Sequence, residues 1–326
     1  METKTVIVTG IGGNVGQGIV RNLRHAGLPL RIIGTNSAPF SAGNHLVDGF
    51  YEVPFAFDPG YLSRMETIIQ KEKADLIIPS TDFEVYYLAG SSLSSITAGS
   101  GPMAAGIYLD KYLSWEHHKK NGIPFAESCL PSGWKGQFEP AIAKPRKGRG
   151  SRGLMKGSFD AAQLKDEEYM VQEMHSGTEI TCAVYVSYLS GEITGLLTMD
   201  RSLEHGATSF CRVIQQWDDA LKDMAVAMVK HADLRGSFNI QAMVTEKGNI
   251  IPFEINCRIS GTNSIRTHFG FPDVAWTAEE LLYGKKAPQA QIRPGVAQRI
   301  LLDVIYPDAP SVEALSRDNR DNFFLY

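Results

Sequence analysis

The chain lacks an excess of either charge, a paired cysteine motif and any long apolar run. Its 32 Lys and Arg against 36 Asp and Glu leave a net charge of −4. That excludes the broad basic field that nucleic acid or an anionic membrane surface would call for. The four cysteines, Cys129, Cys182, Cys211 and Cys257, are far apart and form no CxxC pair. They read as free thiols in a reducing compartment, not as a disulfide framework or a zinc site. No apolar stretch approaches the roughly 18 residues of a membrane-spanning helix. The N-terminus runs into a strand pattern without a signal-like core. The expectation is a soluble cytoplasmic protein with no nucleic-acid or membrane partner. Internal repeats and low-complexity tracts are also missing. What is present is 326 residues of ordinary globular composition, 43% hydrophobic and 21% charged, enough for two or three compact units.

Strand and helix signals alternate along the first third. "TVIVTG" (5–10), "LRIIGT" and "DLIIPST" read as buried strands. "VGQGIVRNLRHAG" is a helix stopped by Gly27, and "PGYLSRMETIIQKEKA" is a helix opening on Pro59. Such alternation predicts a parallel, doubly wound sheet to about residue 100, and the small-residue stretch "SSLSSITAGSGPMAAG" marks the boundary. Beyond it come a helix "LDKYLSWEHHKKNGIP", a strand "PAIAKP", a glycine-rich basic loop, a short helix near 159–164 and a strand "EYMVQEM". Two antiparallel strands turning at 189–191 follow, then an amphipathic helix "DDALKDMAVAMVKHADL". His117, His118 and His231 are expected at the surface of their helices.

The most informative stretch is "IIPFEINCRISGTNS" (250–264). Side chains alternate across a strand, so Glu254, Asn256 and Arg258 share one face and Phe253, Ile255 and Cys257 the other. A two-residue turn at Lys247–Gly248 would pair this strand with "FNIQAMV", setting Gln241 opposite Glu254 and Asn239 opposite Asn256. Pro252 predicts an edge strand or a local irregularity. One charged and several neutral oxygen ligands suit Mg²⁺ held jointly with substrate phosphates. An arginine just beyond suits a phosphate or carboxylate. The alternative is a strand whose polar face is merely solvated.

Two glycine-rich segments bear on phosphate binding. "AKPRKGRGSRGL" sets Lys144 at a strand end, followed by Gly148, Gly150 and Gly153 among Arg146, Lys147, Arg149 and Arg152. Glycines let backbone N–H groups approach phosphate oxygens, and the bases raise the local potential. The Walker order GxxxxGK[ST] is missing, and a solvated basic loop is the competing reading. "GIGGNVGQG" follows the first strand as a dinucleotide fingerprint would, which leaves an NAD(P)-dependent oxidoreductase as an alternative. The second strand, however, ends at Asn36 where an acid would contact the ribose.

Together these segments resemble the ATP-grasp superfamily of carboxylate–amine ligases, closest to its carbamoyl-phosphate-synthase-like branch. The resemblance implies an α/β and α+β chain. A doubly wound pre-ATP-grasp domain (1–100) would precede an ATP-grasp domain (101–326) with a lid subdomain near 125–170 and a hinge near 171–175. It implies ATP and Mg²⁺ (or Mn²⁺) as cofactors. Lys111 and Lys144 would touch the nucleotide phosphates, with Gly150 and Gly153 in the covering loop. The backbones of Glu173 and Met174 would meet the adenine and Glu179 the ribose. Gln241, Glu254 and Asn256 would hold the metal, and Arg258 the transferred phosphate. Many relatives carry an acid where Gln241 stands, and Gln marks the carbamoyl-phosphate-synthase-like branch. The implied reaction activates a substrate carboxylate as an acyl phosphate and couples it to an amine, so the partners are small molecules. Relatives are commonly dimeric, so a homodimer is allowed. A non-catalytic ATP-binding regulator is the remaining alternative.

The acid is expected near "TMDRSLEHGATSFCRV" (198–213), where Arg201 and Arg212 suit a carboxylate and His205 a base. Ser260, Asn263 and Ser264 in "SGTNS" are further candidates for binding the acid.

Overall fold

A computed structural model describes residues 2–148, 150, 152–204, 206–300, 302–315 and 322–325. Its first layer is a parallel sheet of β1 (Lys4–Val8), β2 (Leu30–Asn36), β3 (Gly49–Glu52) and β4 (Leu76–Ile78), in the order β3-β2-β1-β4. Alternate residues of β1 feed opposite cores. Val6 and Val8 pack under α1 (Asn14–His25), while Ile7 packs with Met65 and Ile68 of α2 (Tyr61–Glu72). Burial on both faces is why these strands read as unbroken apolar runs. The short β3 and the helix α3 (Asp82–Ala89) escaped the periodicity reading. α3 starts on a Thr81/Glu84 capping box and buries only Glu84, Val85 and Leu88.

The small-residue stretch taken as a boundary is ordered throughout. Ala98 donates to Ile77 O at the sheet edge, and Pro102 opens a helix α4 (Pro102–Leu109). Asp233 caps that helix from far along the chain, through Ala104 N at 2.9 Å. α4 leads into α5 (Lys111–Lys120), N-capped by the Asp110 side chain.

A four-stranded antiparallel sheet follows: β5 (Ser128–Cys129), β6 (Ala141–Pro145), β7 (Met155–Lys156) and β8 (Tyr169–Glu173), ordered β5-β8-β6-β7. The main sheet contains β9 (Thr178–Val186), β10 (Ile193–Glu204), β11 (Ala207–Ile214), β12 (Gly236–Val244), β13 (Ile250–Asn256) and β14 (Val296–Gln298). Its order is β13-β12-β9-β10-β11-β14, all antiparallel. α6 (Asp218–His231) covers one face through Leu221, Met224, Ala225 and Met228. After the short α7 (Asn263–Arg266), α8 (Asp273–Tyr283) returns to the first layer. Val274 and Ala278 join the core beneath β1 and β2. The N-terminal layer is therefore closed by residues near the other end of the chain.

No helix among the described residues is long and apolar enough to cross a membrane. His118 departs from expectation. It is fully buried, with Nδ1 3.1 Å from Pro124 O and its ring against Phe125. Burial pushes its pKa down to about 4. The turn at Gly122–Pro124 folds back over the last turn of α5 and covers it, a contact that helical spacing does not reveal.

Candidate active site

The site grows from the β12–β13 pair. Asn239 faces Asn256 and Gln241 faces Glu254, as the sequence predicts, but the turn that sets this register is different. The strands join through a loop in which Thr245 and Asn249 still bond and Gly248 takes φ +81°. The two-residue turn expected at Lys247–Gly248 is therefore replaced by a longer one. A bulge between Gln241 and Ala242 restores the register by leaving Phe253 without a partner in the ladder. Pro252 sits next to this bulge on an edge strand, where a missing N–H is harmless.

Along this face Gln241 Nε2 donates to Asn256 Oδ1 (2.9 Å), and Asn256 Nδ2 donates to Glu254 Oε1 (3.1 Å). Arg201 reaches across from β10, donating to Glu179 Oε1 (3.1 and 2.9 Å) and to Gln241 Oε1. It stands on a strand and holds two other candidate residues, Glu179 and Gln241, in place. Both of its bonds to Glu179 go to one oxygen, which leaves Oε2 for a hydroxyl group.

The bulge has a second effect. The carbonyl of Phe253 accepts from Lys144 Nζ at 2.8 Å, and Gln172 Oε1 on β8 accepts at 2.7 Å. Lys144 is only 4% exposed. Burial lowers its pKa to about 7; Glu254 opposes the shift and Lys111 adds to it. Lys111, the first residue of α5, donates to Gly148 O (3.1 Å) and lies 3.9 Å from Glu254 Oε1. For Glu254, burial favours the neutral acid, but Lys111, Lys144, Asn256 and Arg258 outweigh it and hold the carboxyl below its usual range. One carboxylate thus faces two ammonium groups in a confined space, an arrangement that favours an added anion.

Two cavities meet at this cluster. One, of about 240 Å³, runs between the small sheet and the main sheet. Ile142 and Leu154 line one side and Met243, Ile251 and Phe253 the other, with Glu173 and Met174 also on its wall. The amides of Glu173 and Met174 are already used, donating to Glu127 O (2.8 Å) and Pro140 O (2.9 Å), which leaves their carbonyls for a ligand. The second cavity, of about 820 Å³, lies between the main sheet and the N-terminal layer. It shares Gly150, Arg152, Leu203, Gln241 and Glu254 with the first.

The glycine-rich basic loop is tied to the start of α5. Lys111 N donates to Arg146 O, and Arg146 Nε donates to both carboxylate oxygens of Asp110 (3.1 and 3.0 Å), with Nη2 2.8 Å from Oδ2. Gly150 and Gly153 both take positive φ, and Gly150 lines both cavities whereas Gly153 packs on Pro145. Arg149 of this loop and His205 of the β10–β11 turn lie outside the described residues.

Arg258 is held by Asp82 at the start of α3 (3.1 and 2.9 Å) and donates to Ile259 O (3.1 Å). Nothing local in the sequence marks Asp82. Gln172 could have been noticed as a lone amide in the apolar run "YMVQEM". Other candidates fall away. Arg212 is exposed and paired with Asp200. Asn263 is completely buried, bonded to Asn22, Val15 O and Ser260 O, so it joins α7 to α1 instead of facing a substrate. Ser260 accepts from the fully buried Arg266, which is paired with Asp273. The "SGTNS" loop is thus in part a structural junction, while its Ser260 and Gly261 also line the larger cavity. The first glycine turn is partly structural too. Gly10 takes φ +58° against Ser80, and a Cβ on Gly16 would lie 2.5 Å from Gly10 O, while Gly12 and Gly13 open onto the larger cavity.

A model of the ATP-grasp domain matches residues 108–262. No curated protein matches the chain in sequence. Among solved structures, N5-carboxyaminoimidazole synthetase from Staphylococcus aureus complexed with ADP is 13% identical with a TM-score of 0.73; the match covers 91% of this chain and 82% of that one. The biotin carboxylase domain of Hydrogenobacter thermophilus 2-oxoglutarate carboxylase, in complex with MgADP, ADP and bicarbonate, is 15% identical with a TM-score of 0.68, covering 90% and 73%. L-amino acid ligase from Bacillus licheniformis is 12% identical with a TM-score of 0.69, covering 90% and 78%. At these identities the likeness is one of fold.

Proposed function

We propose that the protein, whose residues 108–262 match a model of the ATP-grasp domain, is an ATP- and Mg²⁺-dependent carboxylate–amine ligase of the carbamoyl-phosphate-synthase-like branch. The carrying observation is the Gln241–Glu254–Asn256 face, standing beside Lys111 and Lys144 where two cavities meet. The smaller cavity has apolar walls for a base and ammonium groups at one end for phosphates. The larger one reaches the same cluster from the opposite side and has room for an acid and an amine. The solved ligases and carboxylases named above, one bound to ADP and another to MgADP, support this reading by their likeness of fold.

In this reading Glu254 and Asn256 offer oxygen atoms to Mg²⁺, with Gln241 beside them. One carboxylate and two amides are a hard donor set that leaves positions for phosphate oxygens. The cation would neutralise charge on the transferred phosphoryl group. Lys144 and Lys111 place their ammonium groups on the phosphates, and Glu179 takes the ribose with Arg201 holding it in place. Arg258 faces the acyl phosphate formed when the substrate carboxylate attacks. Catalysis by these residues is positioning and charge neutralisation. The division into residues 1–100 and 101–326 belongs to the same reading, with the β5–β8 sheet as the lid near 125–170 and the hinge near 171–175, as does a cytoplasmic location. The test is Mg·ATP-dependent ADP release from pooled carboxylic acids, with and without pooled amines, using Glu254→Ala as the blank. Release that depends on one acid pool is expected; release that persists in the blank would overturn the assignment.

A further inference from the structure

The larger cavity is polar at its floor and aromatic at its mouth. Phe55 and Phe57 lie on the loop after β3 and line the same cavity as Glu254, Asn256 and Arg258. The two rings are stacked, 5.3 Å between centroids and 9° from parallel, yet they are 50% and 54% exposed. The neighbours Val53 and Ala56 are buried in the N-terminal core, so the exposure is particular to the rings. The loop is pinned. Asp58 Oδ2 accepts from Phe55 N at 3.0 Å, Asp58 N donates to Phe55 O at 2.9 Å, and Tyr61 N donates to Asp58 O at 3.0 Å. Phe83 meets Phe57 edge-on at 5.9 Å, and it directly follows Asp82, the residue that holds Arg258. A rigid turn therefore displays two flat apolar faces at the entrance to a cavity whose floor carries the reactive charges. The stacking of the exposed rings and their place on the wall of this cavity are the observations that point to a ligand there.

We propose that Phe55 and Phe57 form an aromatic subsite, and that the acid substrate of this enzyme carries a planar aromatic group. Calling that group part of a substrate rests on the ligase reading; the binding of a ring does not. Phenyl rings favour offset-stacked or edge-to-face partners over saturated rings of similar size. A substrate with its carboxylate toward Arg258 and its ring on Phe55 and Phe57 would use both ends of the cavity.

The test uses the full-length protein with Mg·ADP and four probes: 3-phenylpropionate, 3-cyclohexylpropionate, phenethylamine and cyclohexylethylamine. Binding is measured by saturation-transfer NMR titration. The phenyl acid should bind about tenfold more tightly than its cyclohexyl counterpart, and Phe55→Ala/Phe57→Ala should remove that preference. Because both rings are half exposed, the double variant should fold, and an unchanged ATP-induced thermal shift verifies this. Phe55→Leu/Phe57→Leu keeps apolar area without the ring faces and should also lose the preference. A preference seen only with the amines would assign the ring to the other substrate and overturn the assignment to the acid. Equal binding of phenyl and cyclohexyl probes, no binding of either, or no effect of the substitutions would overturn the subsite. The ligase reading fails separately, by absence of ADP release from every pool. ADP release from aliphatic acids alone, unchanged in the double variant, would remove the subsite and leave the ligase standing.

Discussion

Asp82 and Arg258 are 176 positions apart in the chain, yet one carboxylate oxygen of Asp82 accepts from both Nε and Nη2 of Arg258, at 3.1 and 2.9 Å. The pair ties the N-terminal layer to the strand that ends the Glu254 face. Its side chains are only 16% and 13% exposed, so solvent screens it little.

Removing one partner should therefore cost more than a surface pair would. Asp82→Ala is expected to destabilise the protein by about 1–3 kcal/mol, because a largely buried guanidinium is left with its bond to Ile259 O. Urea midpoints for Asp82→Ala, Arg258→Ala and the double variant give the coupling. Strictly additive losses would mean the pair contributes nothing.

Lys144 gives a pH signature. With its pKa lowered to about 7 in the free protein, the side chain is largely the neutral amine at pH 8. Phosphates beside it favour the charged form, so Mg·ATP binding should take up close to one proton at pH 8 and little at pH 6. Affinity should accordingly fall as pH rises above 7. Calorimetry in buffers of different ionisation enthalpy reads this uptake, and Lys144→Met should abolish it. The same shift acts on stability. Below about pH 7 the folded and unfolded chains both hold the proton. Between there and the ordinary lysine range only the unfolded chain does, so this residue makes the protein more stable as pH rises through that window.

Glu254→Gln keeps the shape of the proposed metal face of Gln241, Glu254 and Asn256 and removes its carboxylate. ADP release should drop at least about a hundredfold, the scale seen when a charge-stabilising group is lost. Nucleotide binding should persist, since Lys111 and Lys144 remain. Turnover within a few fold of the parent would show that the cation is held elsewhere.

The first glycine turn separates packing from access. A Cβ on Gly16 would meet backbone atoms at 2.5 and 2.8 Å, which cannot give way, so Gly16→Ala should destabilise by about 1–3 kcal/mol. Gly13, with its nearest atom at 3.6 Å and an ordinary negative φ, should accept Ala with little change in melting temperature. Equal melting temperatures for the two variants would contradict this account of the turn.

Much of the candidate site's layout was legible because its signals are local. Glu254, Asn256 and Arg258 alternate with apolar residues, Lys144 ends an apolar strand, and Lys111 follows a capping aspartate. The β12–β13 register was inferred from a turn that does not form, and it agreed because the bulge at Phe253 shifts the ladder by one residue. The surface expectation for His118 failed, and the partners of Arg201 and Asn263 went unseen, for one reason. Each residue's surroundings come from segments distant in sequence or from a chain reversal that periodicity does not report.

Alternation, glycine positions and capping residues act over a few residues, so they determined the longer strands, most of the main helices and the line of oxygen and ammonium groups from the sequence alone. Only the tertiary structure decided what those groups face. It brought Asp82 to Arg258, Gln172 and the unpaired Phe253 carbonyl to Lys144, and α8 beneath the first sheet. It also set two exposed phenylalanines at the mouth of the larger cavity. Those contacts depend on how separate layers pack, and burial then sets which charges persist.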